Sequence, residues 1–480
     1  MSVSKPKVYD LCILGAGSGG LVVASVAAQL GYSVALLEGG HMGGDCLNSG
    51  CVPSKALIAA AKMAYNAQKA APFGVELTAK VNFAQVMAHV QQVVASIAPH
   101  DSAERFTSLG CDVISEYGTF ADDRTVVTPN GQRITARRFV VATGSRASIP
   151  PIAGLAEVPY LTNETIWQLK ELPSHLAIIG GGPIGIEMAQ SFRRLGSQVT
   201  VLEGASRILP HDDAELVALL SQQLTTEGIT LQTDVKISKI SKQKQGIGIE
   251  HGGETLAVSH LLVAAGRTPN VENLGLEKAG IAYTKTGITV NDQLQTTNKR
   301  VYAVGDVAGP YRFTHTAGAQ AGVFIQRVLF GNMFAKSQTL TTTYNVPWVT
   351  YTDPELAHVG LNLPQAQARF GMGVRVTEVN VGGIDRYVAE RNTLGKLKVI
   401  TAPNGRVVGA TMLGALAGEM LPMWGLMIEQ KLKLSALSRI IHAYPTHAEV
   451  NKRIVSAYYA PALYAPRTQW LSRLLFRLLG

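Results

Sequence analysis

Residues 9–20 read Tyr9-Asp10-Leu11-Cys12-Ile13-Leu14-Gly15-Ala16-Gly17-Ser18-Gly19-Gly20. The largely apolar run predicts a strand over Val8 to Leu14, and the glycines after it match Gly-x-Gly-x-x-Gly at Gly15, Gly17 and Gly20. Leu21 to Leu30 then reads as a helix, Ser33 to Leu37 as a second strand, and Glu38 stands eighteen residues past Gly20. Such glycines permit a tight turn and let a pyrophosphate approach a helix N-terminus, where a following carboxylate can accept from a ribose hydroxyl. The glycine motif alone is weak evidence; the flanking strands and the acid make it specific.

Working outward, the pattern recurs. Leu176 to Ile179 is apolar and leads into Gly180-Gly181-Gly182-Pro183-Ile184-Gly185. A helix is predicted over Ile186 to Leu195 and a strand over Gln198 to Leu202, ending at Glu203, again eighteen residues past the last glycine. Two such units predict an α/β chain with two Rossmann-like dinucleotide-binding domains. Glu203 would bond a ribose diol and repel a 2′-phosphate, which favours NADH over NADPH, with Arg207 nearby to soften the preference.

Cys46 and Cys51 lie between the two units, in Gly43-Gly44-Asp45-Cys46-Leu47-Asn48-Ser49-Gly50-Cys51-Val52-Pro53-Ser54-Lys55. A regular helix turns positions i and i+5 away from each other. Gly50 and the restriction that Pro53 places on Val52 are expected to distort a first helical turn, bringing the Cα atoms within reach of a disulfide. A thiol at a helix N-terminus also ionises more readily. The pair therefore reads as a redox disulfide. The competing readings are two unrelated buried thiols or a structural staple, and a staple closing so short a loop removes little entropy from the unfolded chain.

The bulk properties bound the answer. The chain has 480 residues, 46% hydrophobic and 16% charged, with four cysteines, which suits several globular domains and not a secreted disulfide scaffold. No signal peptide and no apolar run able to span a bilayer is visible, so a reducing cytoplasmic compartment is expected. The net charge of +9 permits acidic partners or a membrane surface. No basic stripe with interleaved aromatics accompanies it, and no nucleic-acid partner is expected. Cys12 and Cys111 read as inert core thiols.

One cysteine pair between two dinucleotide folds resembles the flavoprotein disulfide reductases, the class of dihydrolipoyl dehydrogenase, glutathione reductase and mercuric reductase. Further stretches resemble that family's signatures in order: Ala142-Thr143-Gly144-Ser145, Ala265-Gly266-Arg267-Thr268-Pro269-Asn270, Val301-Tyr302-Ala303-Val304-Gly305-Asp306 and Val349-Thr350-Tyr351-Thr352-Asp353-Pro354-Glu355. The resemblance implies FAD and NAD(P)H as cofactors. Gly15, Gly17, Gly20 and Glu38 would hold the ADP part of FAD. Lys55, Gly118, Thr143, Gly144 and Ser145 would also line the flavin site. Asp306 would bond the ribityl chain, and Thr314, His315 and Ala317 would face the pyrimidine ring. Gly180, Gly182, Gly185, Glu203 and Gly266 would hold the nicotinamide cofactor, with Glu187 meeting Lys55 beside the flavin. Cys51 would be the thiol nearest the flavin and Cys46 the one that attacks substrate. No resident metal is implied.

The same resemblance divides the chain into an FAD domain (1–147 and 272–345), an NAD(P) domain (148–271) and an α+β interface domain (346–465) that builds a homodimer. Near its end the family carries His-Pro-x-x-x-Glu, whose histidine is the acid–base group for the thiols. This chain reads Ile441-His442-Ala443-Tyr444-Pro445-Thr446-His447-Ala448-Glu449. Tyr444 replaces the histidine, as in mercuric reductase, and a tyrosine is a poor base at neutral pH. Glu449 keeps register. His447, three positions past Tyr444 near the start of a helix, or His442, could supply the base; each also reads as a polar interface histidine. Unlike mercuric reductase, this chain has no cysteine after Cys111.

The function expected is transfer of electrons from NAD(P)H through FAD to Cys46–Cys51 and on to a thiol-reactive small molecule or metal ion. The alternatives are a dihydrolipoyl dehydrogenase with a non-standard base, a redox-sensing or scaffold flavoprotein, and a membrane quinone reductase. The basic amphipathic tail, residues 466–480, is expected to form a helix suited to peripheral contact with an anionic membrane or to docking on the protein or its dimer mate.

Overall fold

The computed structural model describes residues 7–331 and 345–479. Residues 1–6 and 332–344, parts of the expected FAD domain, and Gly480 of the tail lie outside the described residues. The chain forms two compact units, one from residues 7–204 and 232–331, the other from 205–231 and 345–479.

The first unit opens with strand β1 (Val8–Leu14), helix α1 (Ser18–Gln29) and strand β2 (Val34–Leu37). β1 lies centrally, parallel to β2 on one side and to strand Arg133–Val141 on the other; Cys111–Ile114 extends the sheet beyond β2, and Val301–Ala303 beyond Arg133–Val141. Alternation sends Leu11 and Ile13 to one face, against Leu21, Val23, Ala24 and Ala27 of α1, and Cys12 and Leu14 to the other, against Phe120 and Phe139. Both faces of this parallel part of the sheet are covered, and antiparallel strands Thr125–Val127 and Thr119–Phe120 continue the sheet beyond Arg133–Val141. Cys12 and Cys111 are buried in these cores, and burial pushes the Cys111 thiol up to about 11.

α1 begins at Ser18, three residues before the predicted helix, because Gly19 and Gly20 enter its first turn. A second parallel set follows: His175–Ile179 pairs with Gln198–Leu202 and with His260–Val263, and helix Pro183–Leu195 connects its first two strands. An antiparallel sheet of Ile237–Lys242, Ile247–His251 and Glu254–Val258 contributes Ile240, Ile247, Ile249 and Val258 to the core beside it.

The second unit is built on a five-stranded antiparallel sheet in the order Trp348–Thr350, Glu355–Gly360, Val407–Gly414, Lys396–Thr401, Arg375–Asn380. Helices Ala417–Glu429 and Glu449–Leu463 pack Trp424, Met427, Val450 and Ile454 into a core with Ala357, Val399 and Met412. The architecture is mixed α/β with a separate α+β C-terminal domain.

Candidate active site

The two glycine turns repeat one geometry. Gly15 and Gly180 hold left-handed φ values of +107° and +110°, and a Cβ on either would lie 2.3–2.4 Å from a carbonyl oxygen, of Ala142 or Ala264. Gly20 and Gly185 pack so closely that a Cβ would sit 2.0 Å from the oxygen of Gly15 or Gly180. The middle glycines differ. A Cβ on Gly182 would meet nothing within 4 Å, and one on Gly17 only the Gly44 Cα at 3.9 Å. Their backbones are ordinary extended N-cap conformations, φ −84° at Gly17 and −75° at Gly182. Packing does not demand glycine at these two places. What glycine preserves there is open space at a helix N-terminus, the cradle a pyrophosphate needs.

The acids close each turn in the same way. Glu38 accepts from the Ala16 amide at 2.7 Å and the Gly40 amide at 2.8 Å, and Glu203 accepts from the Gly181 amide at 2.5 Å. Each carboxylate is thus fixed at the end of its strand beside the turn, where a ribose diol would lie. Gly118 packs against this region, since a Cβ there would lie 2.7 Å from Leu37 and Val126. The Arg207 guanidinium donates to the carbonyls of Asp212 and Pro210 in its own loop.

Cys46 and Cys51 stand on different helices, α2 (Gly44–Asn48) and α3 (Cys51–Gln68). The single distorted first turn expected from the sequence is instead a break at Ser49 and Gly50. The Asp45 side chain packs against that break, since a Cβ on Gly50 would lie 2.8 Å from Asp45 Oδ2. Val52 is helical despite preceding Pro53, which occupies the first turn of α3, where a missing N–H costs no helical bond. Both cysteines are free thiols. Cys51 Sγ lies 3.3 Å from Thr314 Oγ1.

That arrangement splits the acidities. The hydrogen bond from Cys46, then that from Thr314 and the Lys55 charge, lower Cys51 to about 6, against burial and the Asp45 charge. Cys46 is pushed up, first by donating to Cys51 and then by burial. At neutral pH Cys51 carries the thiolate and Cys46 the proton.

Asn163 donates to Asp45 at 2.9 Å and Trp167 to the Ser49 carbonyl at 3.1 Å, and three further attachments hold this segment. Gly43 donates to the Ala16 carbonyl at 3.0 Å, and a Cβ on Gly44 would lie 2.7 Å from the Gly17 Cα, so the cysteine-bearing helix rests directly on the first glycine turn. Lys55 donates to Glu187 at 2.8 Å, joining α3 to helix Pro183–Leu195. Arg267, 13% exposed, lies 3.2 Å from Asp45 and 3.6 Å from Asp306, and donates to the Ser145 hydroxyl and carbonyl. Ser145 in turn donates to Asp306 at 2.5 Å. Burial raises the Asp306 carboxyl, and these partners oppose it. Thr143 and Asn270 exchange bonds of 2.8 Å, fixing the turn at Gly144 and the strand that leads on from Gly266. Helix Thr314–Phe324 places Thr314 against Cys51, His315 stacked on Phe313, and Ala317 beside Gly19 and Gly305.

Sequence reasoning missed Asp45 and Arg267 as partners. Asp45 is the one charged residue between Gly43 and Ser54, a usable signal; the Arg267 contact joins residues 222 positions apart and has no local signature.

In the second unit, residues 444–448 are not helical, and helix Glu449–Leu463 begins after them. Tyr444 and His447 therefore do not share a helix face. The Tyr444 hydroxyl donates to Asp385 at 2.7 Å, which raises its pKa above the ordinary tyrosine value and makes it a weaker acid. His447 Nε2 lies 3.0 Å from Glu390, and its ring meets Tyr387 edge-on at 4.5 Å. His442 is exposed and sits against the Ile440 carbonyl. Glu449 is buried, and its Oε2 has no hydrogen-bond partner.

Two nucleotide cradles sharing a chain with a thiol pair of split acidity define a nucleotide-dependent thiol oxidoreductase. The chain belongs to the pyridine nucleotide-disulphide oxidoreductase family, whose model matches residues 9–321, with that family's dimerisation domain over residues 346–454. It is 33% identical to a mercuric reductase of Staphylococcus aureus over 92% of this chain and 81% of that protein. It is 32% identical to a dihydrolipoyl dehydrogenase of Thermus scotoductus over 95% and 99%. Among solved structures, the Cu(II) complex of the HOCl-induced flavoprotein disulfide reductase RclA from Escherichia coli superposes with a TM-score of 0.85 at 28% identity, covering 94% and 99%. The protein is a flavoprotein disulfide oxidoreductase that uses FAD and NAD(P)H, and its dimerisation domain makes it a homodimer.

Proposed function

We propose that this enzyme takes electrons from NADH and delivers them, through Cys46 and Cys51, to a thiophilic metal ion such as Cu(II) or Hg(II). Bound FAD supplies the carrier that accepts hydride from the nicotinamide and passes an electron pair to the disulfide. The carrying observation is Tyr444. It stands where the family's thiol-exchange base stands, and its hydroxyl is spent on Asp385. Exchange with an organic disulfide needs a proton moved onto a leaving thiolate. Reducing a metal ion does not. Soft thiolates bind such ions directly.

The electrons balance without that base. Oxidation of the dithiol to the disulfide releases two electrons, which convert two Cu(II) to two Cu(I), or one Hg(II) to Hg(0). NADH then restores the dithiol, leaving NAD⁺ and one proton per cycle. In this reading Gly15, Gly17, Gly20 and Glu38 hold the ADP of FAD, Asp306 and Ser145 its ribityl chain, and Thr314 to Ala317 the edge of its ring. Gly180, Gly182, Gly185, Glu203 and Gly266 hold NADH. Lys55 places a positive charge toward the thiolate, and Glu187 compensates the lysine in turn. Glu203, already bonded to an amide of its own turn, favours the unphosphorylated ribose; a kcat/KM larger for NADPH would overturn that choice.

A second reading has one observation in its favour. His447 against Glu390 is an imidazole oriented by a carboxylate, the arrangement a general base for lipoamide would need. NADH oxidation with Cu(II), Hg(II), lipoamide, glutathione disulfide and quinones separates the two. The metal-ion reading expects rapid turnover with a metal ion, lost in Cys46→Ser and in Cys51→Ser while both variants still bind yellow FAD. Fast lipoamide turnover that falls in His447→Ala would replace it with the second reading.

A further inference from the structure

Helix Pro466–Leu479 has no buried residue. Its start is tied to the helix before it: Gln469 donates to the carbonyls of Ala465 and Tyr464, and Thr468 to that of Ala462 at 2.7 Å. Every side chain from Gln469 to Leu479 is exposed, Trp470 at 65% and Leu478 at 71%. The dimerisation-domain match ends at residue 454, so the helix lies beyond the matched residues.

Its residues sort by face. Trp470, Leu471, Leu474, Leu475 and Leu478 recur at i, i+1, i+4, i+5 and i+8, which is one apolar stripe. Gln469, Ser472, Arg473 and Arg477 lie off the stripe, with Phe476 the one large apolar side chain among them. Arg473 and Arg477 are four residues apart, a repulsive spacing on an isolated helix unless an anion lies beside them. From Val450 to the C-terminus the chain has five bases, Lys452, Arg453, Arg467, Arg473 and Arg477, and no acid. A second copy of the chain would bring the same positive charge to this surface. Anionic phospholipid headgroups complement it, and the exposed Tyr459, Leu463 and Tyr464 of the preceding segment continue the amphipathic surface.

Length fixes the mode of contact. At about 1.5 Å per residue the helix is roughly 20 Å long, short of the roughly 30 Å hydrocarbon core, so it would lie in the interface plane. We propose that Pro466–Leu479 is an interfacial anchor that holds the homodimer on a membrane surface carrying anionic phospholipid. Two copies per dimer bind the same vesicle, so the pair engages more tightly than either helix alone.

The test is co-sedimentation of the full-length holoenzyme with phosphatidylcholine vesicles, with and without phosphatidylglycerol. The expected result is sedimentation that depends on phosphatidylglycerol and weakens with added salt. Arg473→Gln with Arg477→Gln should cut the vesicle partition by roughly 30-fold per helix, taking each arginine at about fivefold. Leu474→Ser with Leu478→Ser should abolish it, and neither pair should alter bound FAD or NADH oxidation. No sedimentation of the wild-type enzyme overturns the proposal, as does binding that is indifferent to phosphatidylglycerol and to the arginine pair. Conversion of dimer to monomer by the leucine pair, read by analytical ultracentrifugation, would assign the stripe to the dimer mate and overturn it too.

Discussion

Cys51 owes its acidity to three neighbours that arrive from different parts of the chain: Cys46, Thr314 and Lys55. Each can be removed singly. Alkylation of the reduced enzyme by iodoacetamide should follow one titration near pH 6, assigned to Cys51 by mass spectrometry, with Cys46 reacting only at much higher pH. Thr314→Val and Lys55→Met should each move the Cys51 midpoint upward, because each removes a group that favours the thiolate. An unchanged midpoint in both variants would show that Cys46 alone sets it. At the C-terminal motif, Tyr444→Phe should leave metal-ion turnover nearly unaffected, since the hydroxyl already donates to Asp385. A loss of turnover of tenfold or more would show the phenol to act on the reacting groups. The sequence displayed Cys46, Cys51 and Tyr444 as the residues to watch. It could not display Thr314 as a neighbour of Cys51, or Asp385 as the partner of Tyr444, because these contacts span 263 and 59 residues.

Elements separate glycines that serve the fold from glycines that serve a ligand, although all six sit in one repeated motif. Gly182→Val should leave stability within about 0.5 kcal/mol, since the site is open and its φ is ordinary, yet raise the KM for NADH about tenfold or more. Gly185→Ala should cost about 1–3 kcal/mol through the clash with the Gly180 carbonyl, and thermal denaturation compared with NADH kinetics distinguishes the two. In the antiparallel sheet, His358 lies buried on strand Glu355–Gly360, donating from Nε2 to the Gly360 carbonyl and accepting at Nδ1 from Thr411. Burial lowers it from 6.5 to about 4. The neutral form is favoured when folded, so this contribution is fully present above pH 6.5 and is lost as pH falls toward 4. The loss approaches about 3 kcal/mol. Urea midpoints measured from pH 7 to 4 should fall, and His358→Gln should flatten that fall; equal slopes would remove His358 as the cause.

Across the whole molecule, the two dinucleotide cradles were legible in the sequence because each is written in a run of about thirty residues, whereas the dimerisation domain was legible only through the family resemblance. Strand alternation, the left-handed glycines and the acid at the strand end are all local consequences of backbone sterics and period. The helical nature of residues 466–479 was legible for the same reason, and so were the arginines that make it a candidate for anionic lipid. No helix among the described residues is long and apolar enough to cross a membrane. What the sequence by itself determined, then, was the class of fold, the cofactor pair and the identity of the thiols. Tertiary structure alone decided that the thiols occupy separate helices with Asp45 packed at the break between them, that Arg267 answers both Asp45 and Asp306, and that Tyr444 is turned to Asp385 while His447 is turned to Glu390. The reason is physical: periodicity and steric restriction act between near neighbours, whereas the partner of a charge is chosen by which distant segments the packed cores bring within a few ångströms.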